Sequence, residues 1–115
     1  MFQDVRKMYG SATALIDNDS NGGTDQTLVA AVTNCKIVVD ELAVSASAAA
    51  TFFLESDGSV SDTVIWPTTN MAANTSFVVY DPGIKTLTGE ALLWNATITG
   101  NISFFVRYHL EQATA

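Results

Sequence analysis

Turn chemistry interrupts this chain at short intervals: Gly10, the run Asn18 to Gly23, Asp57-Gly58, Asp81-Pro82-Gly83, Thr88-Gly89 and Gly100-Asn101. Glycine, asparagine and aspartate tolerate positive φ and proline presets a turn, so strands fit between such marks and long helices do not. The intervening runs are rich in β-branched and aromatic residues, which suit a pleated, half-buried surface. They are Ala12 to Ile16, Thr27 to Val32, Lys36 to Val44, Thr51 to Ser56, Thr63 to Trp66, Ser76 to Tyr80, Ala91 to Thr99 and Ile102 to Glu111. The expected fold is therefore all-β, a single β-sandwich or jelly-roll of about eight antiparallel strands.

The clearest strand is the last. Ile102, Phe104, Val106, Tyr108 and Leu110 fall on one face, and Ser103, Arg107, His109 and Glu111 on the other. Leu92, Trp94, Ala96 and Ile98 alternate in the same way with Asn95, Thr97 and Thr99, and Gly100-Asn101 joins the two runs. This spacing predicts a C-terminal hairpin with glycine first in its turn. The alanine-rich stretch from Glu41 to Phe53 has some helix propensity. Its β-branched and aromatic flanks instead predict two strands and a small-residue bend near Ser45 to Ala50.

At 115 residues, with 48% hydrophobic and 15% charged, the chain can close one core and no more. We expect one domain over residues 11–115, preceded by an arm over residues 1–10 that has no strong periodicity. Twelve acidic against five basic residues leave a net charge of −7, which excludes the basic footprint of a nucleic-acid binder. The same sign disfavours anionic lipid, and polar residues break every apolar run well short of the roughly 20 residues that span a bilayer. Met1 to Lys7 lacks a following apolar run, so no signal peptide is predicted there. The single cysteine, Cys35, cannot form an internal disulfide and reads as a buried structural thiol, in keeping with synthesis in a reducing cytoplasm.

One motif carries recognisable site chemistry. Asp17-Asn18-Asp19-Ser20-Asn21-Gly22 places oxygen ligands at alternate positions before a glycine, as the first half of a calcium loop does. The twelfth position from Asp17 is Leu28 where a bidentate acid belongs. Calcium would then need Asp17, Asp19, Asn21 and Asp25 in another loop geometry; the competing reading is an ordinary Asx-rich turn. Asp40 and Glu41 are adjacent, so on a regular strand they point to opposite faces and cannot act as a pair without a bulge. His109, between Arg107 and Glu111 on a polar face, has neither a complete triad nor a metal-ligand set around it. No catalytic residue is assigned. Among the aromatics, Trp66 precedes Pro67 and is the candidate for an exposed ring, able to stack on a sugar or a partner.

The run Thr27-Leu28-Val29-Ala30-Ala31-Val32, followed by a short turn and Lys36-Ile37-Val38-Val39, resembles a pattern met in small structural proteins of tailed bacteriophages. The small-residue bend with its next strand, Leu42 to Gly58, and the turn and strand Thr88-Gly89-Glu90-Ala91-Leu92-Leu93 extend the likeness across about residues 27 to 110. The Asn34-Cys35 turn and the Asp40-Glu41 acids depart from that pattern, which leaves the subtype open. The resemblance implies a non-enzymatic virion component of the capsid decoration or cement type, often a trimer, bound to the major capsid protein or other virion proteins on the outer head. A tail or head-fibre adaptor is the near alternative, and a carbohydrate-binding sandwich the more distant one. Expected partner contacts are Phe2 and Tyr9 on the arm, and Trp66 and Met71 in the region from Trp66 to Asn74.

Overall fold

The computed structural model describes residues 12–112, so the expected arm, with Phe2 and Tyr9, lies outside the described residues. Eight strands follow one another: β1 (Ala12–Ser20), β2 (Gly23–Val29), β3 (Cys35–Ala46), β4 (Ala50–Ser56), β5 (Thr63–Met71), β6 (Thr75–Tyr80), β7 (Leu92–Ile98) and β8 (Asn101–Gln112). They form two antiparallel sheets of four, ordered β1-β8-β3-β6 and β2-β7-β4-β5. The pairings β1 with β8, β2 with β7, β3 with β6 and β4 with β5 nest inside one another. The chain thus behaves as one long hairpin, with its tip between β4 and β5, wrapped so that successive rungs fall alternately in the two sheets. That is a jelly-roll.

Alternation in the sequence explains which side chains meet between the sheets. Ile102, Phe104 and Val106 of β8, Leu42 and Val44 of β3, Phe52 and Leu54 of β4, and Leu92 and Trp94 of β7 are all buried. The Phe104 ring lies 5.0 Å from Trp94 and 5.4 Å from Phe52, bridging the two sheets at the centre of the core. Burying each such side chain is worth about 1.5–3 kcal/mol. The predicted bend also forms, confined to residues 47–49 between β3 and β4. The alanines there accompany a corner and no helix, because the flanking strands are held in the two sheets.

Three expectations are corrected. The C-terminal hairpin does not form: β7 pairs with β2 and β4, and β8 pairs with β1 and β3. Each strand is central in its own sheet with a partner on either edge, and pairing with each other would cost each of them one of those partners. Gly100, at φ 155°, makes the corner between sheets, where a Cβ would lie 2.8 Å from Ser47 Oγ and 3.0 Å from Ala48 Cβ. The wide turn expected over Asn18 to Gly23 shrinks to Asn21-Gly22, both at positive φ (64° and 74°), which suits a tight primed turn. Finally, the stretch between β6 and β7 is not only turns. Ile84 and Thr86 are buried, Val39 N–H donates to the Ile84 carbonyl at 3.0 Å, and Thr86 N–H donates to the Ile37 carbonyl at 3.0 Å. This segment continues the sheet edge along the first half of β3.

Candidate functional site

Two groups of polar side chains stand on the outer faces, and a β-bulge organises each of them. On the second sheet, Gly23 pairs with Ala96 and Gln26 with Trp94, so two residues of β2 oppose the single residue Asn95. One of the two is Asp25, whose φ of 50° turns its backbone N–H onto Asn95 Oδ1 at 2.8 Å. Asn95 Nδ2–H in turn donates to Glu55 Oε1 of β4 at 2.9 Å. Asn95 is buried, so both ends of its amide are satisfied where water cannot do it. Asp62, ahead of β5, accepts the Gly58 N–H at 3.1 Å and completes a group in which carboxylate oxygens of Asp25, Glu55 and Asp62 lie within 4.8 Å of one another.

Three like charges this close cannot all be comfortable. Desolvation, then the hydrogen bond that a protonated Glu55 donates to Asp25, and the nearby charges of Asp25 and Asp62 raise the Glu55 carboxyl above its ordinary value near 4.5, against the lowering effect of Asn95. The group is all-oxygen, the donor type that hard cations prefer. Beside it, Gly23, Thr24, Thr51, Phe53, Thr68, Asn95, Ala96 and Thr97 line a shallow hollow of about 210 Å³.

On the first sheet the acids meet basic side chains. Val39 pairs with Tyr108 and Glu41 with Arg107, which leaves Asp40 as an extra residue in β3. The bulge that adjacent acids would need to share a face is therefore present, and it overturns the expectation that Asp40 and Glu41 point to opposite faces. His109 Nδ1 lies 2.9 Å from Asp40 Oδ2, and Arg107 Nε donates to Glu41 Oε1 at 3.3 Å. Lys85 Nζ stands 3.7 Å from Glu111 Oε1.

The expected site residues are dispersed. Asn21 lies in the β1–β2 turn and Asp25 beside Glu55 and Asp62, while the side chains of Asp17 and Asp19 lie outside the described residues. Trp66 is half-buried against the core and its Nε1–H donates to Thr69 Oγ1 at 3.0 Å. Met71 is buried in the core and is not on the surface of the described chain. Cys35 is buried, with a free thiol. Asn95, Glu55 and Asp62 were missed because they come from separate strands and loops, with no common spacing in the sequence.

No family model matches the chain, and no curated protein does. Among solved structures it is similar to a chain of the virus-like particle of the giant freshwater prawn Macrobrachium rosenbergii extra small virus. The identity is 11%, the match covers 90% of this chain and 80% of that one, and the TM-score is 0.38. It is also similar to a chain of infectious bursal disease virus, Gx strain, at 10% identity and a TM-score of 0.31, covering 90% of this chain and 40% of that one. Neither likeness carries a residue-by-residue correspondence.

Proposed function

We propose that this jelly-roll is a non-enzymatic structural protein of a virus particle, and specifically a decoration or cement protein on the outer head of a tailed bacteriophage. The observation that carries the reading is the jelly-roll itself, with the resembling motifs at its strand joints. Leu28 and Val29 end β2 and Lys36 to Val39 lie in β3, with Ala30 to Val32 outside the strands, the small-residue bend joins β3 to β4, and Thr88 to Leu93 leads into β7. A wrapped, stiff domain with few charges suits a protein that buries part of its surface on a lattice. By binding an assembled shell and not its dissociated subunits, such a protein raises shell stability through mass action.

The test is antibody labelling of particles of the virus that encodes the chain, followed by heating of heads with and without it. Label over the heads, with DNA released at lower temperature from heads lacking the chain and restored on adding it back, is the expected result. Label confined to tails moves the assignment to an adaptor, and particles without the chain overturn the virion reading. A carbohydrate-binding module is the second reading, favoured by the hollow in which Phe53 sits among threonines and Asn95. It predicts glycan-panel binding that is lost in Phe53→Ala.

A further inference from the structure

A jelly-roll of two open sheets has four edge strands, and exposed edges invite pairing unless something blocks them. Here three are blocked. In β1 the register shifts between Ile16 and Asp19, and in β2 it shifts twice, once at Asp25 and once between Thr27 and Val29. In β5 it also shifts twice, and Pro67 removes an N–H from the strand. The fourth edge is different. β6, Thr-Ser-Phe-Val-Val-Tyr, pairs with β3 over all six residues without a shift and contains no charge, glycine or proline.

We infer that β6 is a self-pairing edge, which joins two copies of this chain antiparallel about a two-fold axis through Val78. The ladder with β3 determines which groups are available. Asp81 N–H donates to the Asp40 carbonyl at 2.8 Å, and the alternation of an antiparallel pair then directs Val79, Phe77 and Thr75 toward β3. Ser76, Val78 and Tyr80 therefore direct their N–H and C=O groups to the open edge, where the described residues make no hydrogen bond to them. This set is self-complementary. With Val78 opposite its own copy, Ser76 of each chain faces Tyr80 of the other, and every donor in the stretch finds an acceptor in about six new hydrogen bonds.

The side chains agree with this arrangement. Val78 and Tyr80 are large apolar residues on the outer face, 49% and 68% exposed, and the pairing brings the two Val78 side chains together and lays each Tyr80 beside a Ser76. The result is one continuous eight-stranded sheet, β1-β8-β3-β6 joined through β6 to its copy. Each copy carries a net charge of −7, so an uncharged strand is the place where two such chains can meet, and added salt strengthens the association. The inference does not depend on the virion role and differs from the trimer that the phage resemblance implies.

The experiment combines light scattering after size exclusion with residue-level hydrogen exchange on the full chain over a range of concentrations. The wild type is expected to approach the dimer mass as concentration rises. Val78→Pro, which removes an edge-facing N–H and none that bonds β3, should halve that mass while keeping the thermal midpoint close to wild type. In the wild type, the amides of Ser76, Val78 and Tyr80 become protected with concentration, whereas those of Phe77 and Val79 are protected throughout. This alternating pattern needs no variant to be read. A monomer at every concentration, a trimer, or a dimer whose Ser76, Val78 and Tyr80 amides stay open overturns the inference.

Discussion

The two outer faces use the same device to opposite ends. In β3 a bulge brings Asp40 and Glu41 to one side, where β8 supplies His109 and Arg107. In β2 a bulge turns Asp25 toward Asn95, and the groups that follow are Glu55 and Asp62, two more acids. A bulge thus determines where a carboxylate stands, and the neighbouring strand determines whether its charge is compensated. On the first sheet the acids have basic partners; on the second they crowd one another, and one buried amide hydrogen-bonds two of them.

Removing that amide should give the largest effect. Asn95→Ala leaves the Asp25 N–H without its acceptor and Glu55 without its neutral donor, and is expected to cost about 2–3 kcal/mol in urea unfolding. A loss below a few tenths of a kcal/mol would show that the two faces are not organised differently. Glu55→Gln should do the reverse and stabilise the protein at neutral pH by up to about 1 kcal/mol, since it removes a charge from the crowded group.

The pH dependence sharpens this prediction. Because the folded-state pKa of Glu55 is raised, the native protein keeps a proton that the unfolded chain releases above about 4.5. The contribution of that proton is fully present below 4.5 and is lost as pH rises through the folded value. The advantage of Glu55→Gln should therefore vanish in acid and grow toward neutrality; a constant advantage across pH would mean that packing, not charge, is responsible. On the opposite sheet, Glu41→Gln should lower stability by about 0.5 kcal/mol or less at neutral pH, as expected for a half-exposed ion pair. The smallest effect is that of salt: raising ionic strength should shrink both charge effects, narrowing the contrast between the faces.

Much of this was legible in the sequence, and the rest shows where sequence reasoning stops. The inward row Ile102, Phe104, Val106, Tyr108 and Leu110 was readable because period-two alternation is a local property of one strand. The strand count and the bend after Ala46 follow from local pattern in the same way. The Asp40-Glu41 bulge was not readable, since a bulge is a mismatch between two strands and has no signature within one. Nor was the grouping of Asp25, Asn95, Glu55 and Asp62, whose members are brought together by sheet register alone.

Alternation states which face of a strand is buried but is silent on which strand lies beside it. For that reason the sequence by itself determined an all-β chain with a two-sided pattern and an acidic, lightly charged surface. Only the tertiary structure decided that β7 and β8 part company at Gly100, that the pairs nest into a jelly-roll, and that, among the described residues, β6 alone keeps a regular open edge. Strand partnership is a long-range choice: it is made by filling one shared core, where the fit of Phe104 between Trp94 and Phe52 outweighs the shorter loop of a local hairpin.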